Sequence, residues 1–393
     1  MSYDVAVVGA GPAGSSAAYE AAKAGYKTIV FEEDTVVGVP IQCGEGLSIF
    51  ALQNFGITPS KEFISQEIGI LRAIFPNDNF MFIREKGFEL NRDKFDQFLA
   101  NRAVDEGAEL RTSTKVINFN PRSKTITYKH NGDTKQISTK VTIGADGPKS
   151  NIANWTGLLN RERWAKSLLR AYEYRIRGVD VEGFDMYFFP DHAPGGYLWI
   201  FKKAEGVGNV GIATTAMDSV ERLHKFMEMK KINGKIEKVI AGSIPGAGPL
   251  ERTYADNVMI AGDAAGHTNP VFLGGIHCAM QCGRLAGQTA AEALEAEDTS
   301  ANFLAKYEKR WRSLPLADST LIKTAEIMQR SPQKQWEKIG KLVGKLDVTN
   351  FSRAEKAKII LKTLLPQYWS LLPLLPKIPI IMKGFSITRR WGW

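Results

Sequence analysis

The chain has 393 residues, of which 44% are hydrophobic and 24% are charged, a composition typical of a globular protein with two or three domains. Its three cysteines, Cys43, Cys278 and Cys282, are too few and too unevenly spaced for a disulfide framework, which indicates a reducing cytoplasm. No basic leader with an apolar core and a cleavage site precedes the first strand pattern, so secretion is not expected.

The net charge of +9 is unevenly distributed, because residues 351–393 contain eight Lys or Arg and one Glu and so carry +7 of it. One end of the chain is therefore expected to meet an anionic partner, either nucleic acid or a lipid headgroup surface.

The N-terminal residues predict one parallel unit of a nucleotide-binding fold. Residues 3–8 form an apolar run that ends at Gly9, residues 12–24 have the small-residue pattern of a helix, and residues 28–31 form the next strand. A strand, a glycine turn, a helix and a strand within about thirty residues have the length of one such unit.

The turn inside this unit fits the GxGxxG motif with Gly9, Gly11 and Gly14. Glycines there let the backbone approach a pyrophosphate, whose charge the helix N-terminus stabilises. Glu32 ends the second strand near the ~20-residue spacing of a ribose-binding carboxylate, which favours FAD or NAD over NADP. The alternative is a glycine turn chosen for tight helix packing, with Glu32 as a solvated strand end.

The middle of the chain predicts a loop, a helix and a small antiparallel sheet. Residues 38–46 hold three glycines and a proline, as in an ordered loop, and residues 92–104 have a helical pattern. Residues 108–141 contain short β-prone runs, within which Asn131-Gly132 is a strong hairpin signal.

Two later runs predict parallel strands that each end near an aspartate. Residues 141–144 lead to Asp146 and residues 257–261 lead to Asp263, which places both carboxylates at carboxyl ends of strands. Between them, residues 171–212 carry alternating aromatics, which are typical of an antiparallel sheet that lines a pocket. After Gly275 the sequence is Ala-rich and helical through Leu294, and beyond Ser300 it is mainly helical until Pro366.

Gly262-Asp263, in the context MIAGDAAG, resembles the second flavin fingerprint of glutathione-reductase-like flavoproteins of the hydroxylase type, and Asp146-Gly147 matches their DG motif. Three motifs in this order favour FAD over free NAD. Simpler alternatives remain for both aspartates, since Asp263 could cap the Ala-rich helix and Asp146 could be a turn residue.

Two further segments are similar to the geranylgeranyl reductase family. Residues 42–46 (QCGEG) look like its CGEG loop and residues 194–201 like its PxxYxWxF motif, and the resemblance covers roughly residues 1–300. The chain departs from the family where residues 269–275 replace the usual DPxTGGG and where Lys202 replaces a proline. The resemblance puts the CGEG loop beside the flavin ring and implies these cofactor contacts: Ala13, Cys43, Gly44, Gly46, Arg92, Val116, Gly275 and Ile276.

Tyr197 and Trp199 alternate in a strand-like run, so they face the same side and can form one wall of an apolar slot that suits an isoprenoid chain. The alternative is ordinary sheet core.

The family reaction needs an acid, because an isolated trisubstituted alkene has no carbonyl to accept charge. We expect reduced flavin to supply hydride, and Cys43 or an ordered water to supply the proton in a dry pocket. Since a thiol with a pKa of about 8.5 is a poor acid, Cys43 could instead gate the flavin or pair with Cys278 or Cys282. Burial as small hydrophobes explains those two more simply. The scattered histidines predict no metal site.

The C-terminal tail, residues 364–393, combines Leu, Ile, Pro and Trp with cations, which is the composition of a membrane interface. We expect the tail to lie on a membrane without spanning it, because its apolar runs are short and its prolines break any long helix. The alternative is that it covers the substrate domain. Dilution of its cations by Leu and Ile argues against nucleic acid.

The sequence therefore predicts an α/β fold whose discontinuous, Rossmann-like FAD domain comprises residues 1–70, 92–160 and 250–300. An antiparallel α+β substrate domain takes residues 71–91 and 161–249, and residues 301–393 form a helical region that ends in the basic apolar tail. The predicted enzyme saturates isolated double bonds of polyprenyl chains, in the cytoplasm and peripheral on the inner membrane face. The electron donor stays open between ferredoxin, a deazaflavin and a nicotinamide. The alternatives are a flavin monooxygenase and a non-catalytic, membrane-associated flavoprotein.

Overall fold

The structure, a computed structural model, describes residues 1–350 and 352–391. The N-terminal parallel unit forms where the sequence predicts it, because α1 buries a face of alanine and glycine that lets it pack closely on the sheet. The first elements are β1 (Ser2–Val8), α1 (Pro12–Lys23), β2 (Thr28–Phe31), β3 (Gly46–Ser48) and α2 (Ile49–Asn54).

The predicted hairpin is also present. Asn131 and Gly132 both have positive φ, of 51° and 87°, as a two-residue hairpin turn with the twist of its strands requires. This part of the chain contains β4 (Ile64–Ile74), β5 (Phe80–Leu90), α3 (Arg92–Asp105), β6 (Glu109–Arg111), β7 (Thr114–Asn120), β8 (Thr125–His130), β9 (Asp133–Gly144), α4 (Asn151–Trp155) and α5 (Arg161–Ser167).

The aromatic run forms antiparallel strands, as its alternation predicts. In β12, Tyr197 pairs with Ala213 and Trp199 with Gly211 of β13. The elements here are β10 (Leu168–Arg177), β11 (Phe184–Tyr187), β12 (Tyr197–Ala204), β13 (Val207–Thr214), α6 (Ser219–Met229), β14 (Lys235–Pro245), β15 (Tyr254–Ala255) and β16 (Val258–Ile260).

The rest of the chain is mainly helical and also contains one strand, which joins β5 because Lys345 pairs with Phe80. Its elements are α7 (Ile276–Glu295), α8 (Ala301–Arg312), α9 (Ser319–Arg330), α10 (Gln333–Val343), β17 (Lys345–Asp347), α11 (Arg353–Lys362) and α12 (Ile378–Trp391). The described residues also form three 3₁₀ segments, at Gly262–Ala265, Pro315–Ala317 and Pro366–Lys377.

The first of two sheets has eight strands, and its parallel core runs in the order β16-β9-β1-β2-β6. The strand β9 is long enough to join this core with its second half and to pair with β8 through its first half. The carboxyl ends of β1, β2, β9 and β16 therefore meet at one edge, where ligands bind in open parallel sheets.

The second sheet has nine strands in the order β14-β10-β13-β12-β11-β4-β5-β17, with β3 added to β5. It includes residues from Gly46 and Ile64 onward, ahead of the boundary at residue 70 that the sequence suggests. The difference arises because pairing across long separations, which no local pattern reports, decides the sheet that a strand joins.

The tail differs from the sequence-based expectation, because its prolines do not end the helical structure. Pro373 and Pro376 are exposed and three residues apart, so they lie on one face of the 3₁₀ segment, which has about three residues per turn. Pro379 is the second residue of α12, where a helix tolerates proline. The continuous segment Pro366–Trp391 is 26 residues long, and its length and composition alone would let it cross a membrane. Gly392 and Trp393, the last two tail residues, lie outside the described residues.

Candidate active site

A cavity of about 500 Å³ opens where the carboxyl edge of the first sheet faces the second sheet. It brings together residues that are far apart in the sequence. The sequence-predicted residues that line it are Gly9, Gly11, Ala13, Glu32, Cys43, Gly44, Gly46, Arg92, Val116, Asp146, Gly147, Tyr197, Trp199, Asp263, Gly275 and Ile276. The other two, Gly14 and Gly262, pack behind this lining.

The glycine turn at the start of α1 is shaped by close backbone approach. A Cβ at Gly9 would lie 2.3 Å from the Ala145 carbonyl oxygen, and one at Gly14 would lie 1.8 Å from the carbonyl oxygen of Gly9. A Cβ at Gly11 would meet nothing within 4 Å. Two glycines therefore hold the turn against the sheet, while the third leaves the N-terminus of α1 open to a diphosphate.

Glu32 is a half-buried member of the cavity lining, unlike the solvated strand end that was the alternative. Its carboxylate accepts hydrogen bonds from the backbone N–H groups of Ala10, at 2.9 Å, and Asp34, at 3.0 Å. Burial raises its pKa. The carboxylate is thus fixed to the glycine turn, in position to accept from a ribose hydroxyl.

The two aspartates of the later motifs both line the cavity. Asp263 accepts a hydrogen bond from the Thr268 hydroxyl at 3.0 Å, and burial raises its pKa. It does not cap the Ala-rich helix, because the N-cap of α7 is Gly275. Asp146 accepts from the Ser150 hydroxyl at 2.5 Å and from the backbone N–H of Asn151 at 2.7 Å, so it also fixes the start of α4.

The loop that contains Cys43 is held from below by Glu45, which has no exposed surface. The Glu45 carboxylate forms ion pairs with Arg175 and with Lys203, the latter at 2.8 Å, and accepts from the backbone N–H of Arg92 at 3.1 Å. The half-buried Cys43 sulfur accepts from the Glu45 N–H at 3.2 Å, and burial raises the thiol pKa. The sequence singles out the loop but not its ionic support, because the partners come from β10 and β12.

The other two cysteines lie in α7 and are buried. All three cysteines, including the half-buried Cys43, are free thiols. Burial raises the pKa of Cys278 to about 12, and the pKa of Cys282 is also raised well above its usual range. Their environment is therefore that of small core side chains.

The opposite end of the cavity is aromatic. The Tyr197 hydroxyl donates to the Phe272 carbonyl oxygen at 2.7 Å, and the Trp199 indole N–H donates to Glu173 at 2.7 Å. Because these polar atoms are engaged, the exposed ring faces form an apolar surface. Phe201, the last residue of the motif at residues 194–201, also lines this wall. Three lining residues that the sequence analysis did not single out complete it: Leu71, Phe184 and Met186.

The mouth of the aromatic end lies under the tail helix α12. The Phe272 ring packs 5.5 Å from that of Phe385, and the Asn269 side-chain amide donates to the Thr388 hydroxyl at 3.0 Å. The loop that departs from the family pattern is thus the loop that contacts the tail.

Two family models match the chain. "Geranylgeranyl reductase catalytic domain" matches residues 167–244, which cover β10 to β14, and "Pyridine nucleotide-disulphide oxidoreductase" matches residues 3–167. The two matches correspond to the aromatic wall and to the side of the cavity that contains the glycine turn.

Individual proteins agree with these matches over most of the chain. Digeranylgeranylglycerophospholipid reductase 2 of Methanopyrus kandleri is 34% identical over 95% of this chain and 98% of its own length. The crystal structure of a geranylgeranyl bacteriochlorophyll reductase-like protein from Thermoplasma acidophilum is 30% identical, with a TM-score of 0.83 over 95% of this chain and 100% of that one. A probable FAD-dependent monooxygenase from Pseudomonas aeruginosa, 14% identical with a TM-score of 0.66 over 85% of this chain and 97% of its own, shares the fold alone.

Proposed function

The chain belongs to the geranylgeranyl reductase family, and we propose that it saturates the double bonds of the two geranylgeranyl chains of a digeranylgeranylglycerophospholipid. It is a flavin-dependent oxidoreductase that acts on carbon–carbon double bonds. The observation that carries the lipid assignment is the single cavity with a dinucleotide-binding turn at one end and an aromatic wall at the other. Such a cavity can hold a flavin and an apolar chain side by side.

The cofactor that fits the polar end is FAD. The open start of α1 suits a diphosphate, and the fixed Glu32 carboxylate suits an adenosine ribose, which FMN lacks. Bound reduced flavin supplies the hydride for the reduction.

The residues of the chain orient the substrate and exclude water. Tyr197, Trp199 and Phe201 offer ring faces to an isoprenoid chain, and each is at most 8% exposed. A dry, preformed slot lowers the entropic cost of holding a double bond against the hydride donor. We propose that the Cys43 thiol, which also lines the cavity, gives the proton.

The membrane contact that we propose begins before the tail itself. Five large apolar side chains that we term the apolar ridge are between 39% and 63% exposed: Ile360, Leu361, Leu364, Leu365 and Trp369. The exposed cations Lys358, Lys362 and Lys377 lie on the same stretch of chain. Exposed apolar residues beside cations match an anionic bilayer surface, so the protein would take its lipid from a peripheral position on the cytoplasmic side.

The electron donor is an external reductant: a reduced ferredoxin, a reduced deazaflavin or a reduced nicotinamide. Each reductant is added anaerobically to the oxidised holoenzyme, and the flavin absorbance is followed. The donor is the reductant that reduces the flavin, and so removes its visible absorbance, within the time of one turnover.

The proposed function is tested by mass spectrometry of the lipid. Purified protein, reduced anaerobically with dithionite and given digeranylgeranylglycerophospholipid, should yield lipid that has gained two hydrogens for each reduced bond, while cofactor released by denaturation should chromatograph as FAD. Unchanged lipid, with bound and fully reduced FAD, would refute the substrate assignment. The matched control is the fully saturated lipid, which should be returned without change.

A further inference from the structure

A second acid group lies directly beneath the Cys43 loop. Glu173, in β10, is 2% exposed, and its Oε2 accepts the Trp199 indole N–H at 2.7 Å. The same oxygen would be 3.5 Å from a Cβ at Gly44, so the loop glycine next to Cys43 covers the carboxyl closely. Gly44 and Trp199 both line the cavity, while Glu173 lies one layer behind them.

The surroundings of this carboxyl favour its neutral form over its ionised form. Its Oε1 has no hydrogen-bond partner among the described residues. A buried carboxylate with one bare oxygen is costly, whereas a protonated carboxyl leaves far less charge unsolvated. Burial, followed by the negative charge of Glu45, raises the pKa of Glu173 to about 8, so it holds a proton at neutral pH.

The surrounding charges are consistent with this protonation state. Glu45 of the loop is already paired with Arg175 of β10 and Lys203 of β12. One oxygen of Glu89, in β5, also has no hydrogen-bond partner in the described part of the chain, and burial raises the pKa of Glu89 well above the usual range. The flanking strands β13 and β14 place Gly211 and Ile240 beside Glu173, neither of which titrates. The two cations are thus engaged by Glu45, and neither makes an ion pair or hydrogen bond with Glu173 among the described residues.

We propose that Glu173 is the proton reservoir of the reduction, which returns a proton to Cys43 after that thiol has protonated the double bond. The inference rests on the proposed function. In the balanced step one alkene carbon gains the hydride and the other gains the thiol proton, so the π bond breaks, two C–H bonds form and the flavin loses two electrons. The thiolate then takes the Glu173 proton, and the Glu173 carboxylate recovers a proton from solvent.

The direction of the second transfer follows from the environments of the two groups. Burial raises the pKa of the Cys43 thiol above its ordinary value, and the carboxyl of Glu173 also raises it when ionised. A thiolate in this position is therefore a stronger base than the Glu173 carboxylate, and proton transfer from the carboxyl group to the sulfur is favourable. Glu173 acts through Cys43, as a positioning and relay residue.

The test compares Glu173→Gln with the matched control Glu89→Gln, since each amide imitates a neutral buried acid in the same sheet. The rate of lipid reduction is measured over multiple turnovers of holoenzyme with excess dithionite, across neutral and alkaline pH, because Glu173 acts only after the thiol has given its first proton. The wild-type rate should fall about tenfold per pH unit above about 8, because only protonated Glu173 supplies the relay. The rate of Glu173→Gln should be about a hundredfold lower than that of the wild type and should not fall further at alkaline pH. The rate of Glu89→Gln should fall at alkaline pH as that of the wild type does. If Glu173→Gln has the rate of the wild type and the same fall in rate at alkaline pH, the proposal is overturned.

A second measurement does not depend on turnover. In isotope-edited infrared spectra of holoenzyme labelled with ¹³C-glutamate, a carboxylic acid C=O band should disappear above about pH 8. The band should be absent from Glu173→Gln and present in Glu89→Gln. If neutral holoenzyme lacks it, Glu173 is ionised and the reservoir role fails. Failure of the wild type to reduce the lipid at any pH would instead count against the proposed function itself.

Discussion

At the scale of single residues, the cavity is defined by backbone contacts as much as by side-chain chemistry. Gly14 has no room for a side chain, and Glu32 is fixed by the N–H groups of Ala10 and Asp34. Such contacts can be predicted from the spacing of residues in the sequence, because the partners lie in one strand–turn–helix unit. Glu173 shows the opposite case, since its neighbours Gly44 and Trp199 are brought to it only by sheet pairing, and no spacing could have indicated them.

Replacement of Glu32 by Ala should weaken FAD binding about ten- to a hundredfold, because a charge-assisted hydrogen bond to the ribose is lost. Fluorescence titration of the apoprotein with FAD measures the change. The matched control is Glu67→Gln, which removes a surface carboxylate paired with Lys86 at 3.0 Å and should bind FAD as the wild type does. Equal Kd values for Glu32→Ala and wild type would remove Glu32 from the cofactor site.

His267 should make the fold sensitive to acid. It is 1% exposed, neither ring nitrogen has a hydrogen-bond partner among the described residues, and burial lowers its pKa from 6.5 to about 3. Between these two pKa values the unfolded chain binds the proton and the folded chain does not, so stability is lost as the pH falls through this window. This residue alone should contribute a loss of about 2 kcal/mol between about pH 7 and about pH 5.

The variant His267→Phe keeps a ring against Trp311, whose ring centroid lies 4.5 Å away, and removes the titration. Its Tm, measured by calorimetry, should fall less than that of the wild type on acidification. His130→Phe, at the hairpin, serves as control and should follow the wild-type slope. If Tm falls equally on acidification in the wild type, His267→Phe and His130→Phe, His267 does not titrate in this way.

At the scale of elements, local patterns were sufficient where an element is self-contained and insufficient where it depends on distant pairing. The parallel unit and the Asn131-Gly132 hairpin form as predicted. The strand β17 was missed, because three residues in a helical region acquire strand geometry only by pairing with β5. The continuity of the tail was missed too, because exposed prolines three residues apart are compatible with a 3₁₀ segment.

The helix α12 should order the loop at the cavity mouth. Phe385→Ala removes the ring that packs on Phe272, so amide hydrogen exchange in residues 269–275 should accelerate and stability should fall by about 1 to 3 kcal/mol. The control Ser386→Ala changes an exposed position of the same helix. Unchanged protection of the loop in Phe385→Ala would show that α12 does not support it.

At the scale of the whole molecule, the charge asymmetry and the apolar ridge lie at the same end of the chain. The tail divides into two parts, since α12 packs on the protein through Gly384 and Thr388 while the ridge faces outward. The packing of α12 on the protein fits the interpretation of the tail as a cover, whereas the membrane contact of the ridge stays a prediction.

Leu361→Asp with Leu364→Asp should weaken binding to vesicles of phosphatidylglycerol and phosphatidylcholine at least tenfold, on the order of the apolar transfer energy of one leucine. Sedimentation with the vesicles measures the bound fraction. Met217→Asp, which changes a residue 78% exposed outside the ridge, is the matched control and should bind as the wild type does. Equal sedimentation of all three proteins would contradict a membrane role for the ridge.

The central claim is that one cavity holds a flavin and an unsaturated prenyl chain in reacting contact. Its most direct test is an anaerobic single turnover, in which the absorbance of dithionite-reduced holoenzyme, freed of excess reductant, is followed after digeranylgeranylglycerophospholipid is added. We expect the oxidised flavin spectrum to return, with one double bond saturated for each flavin reoxidised. A flavin that stays reduced in the presence of the lipid would contradict the claim.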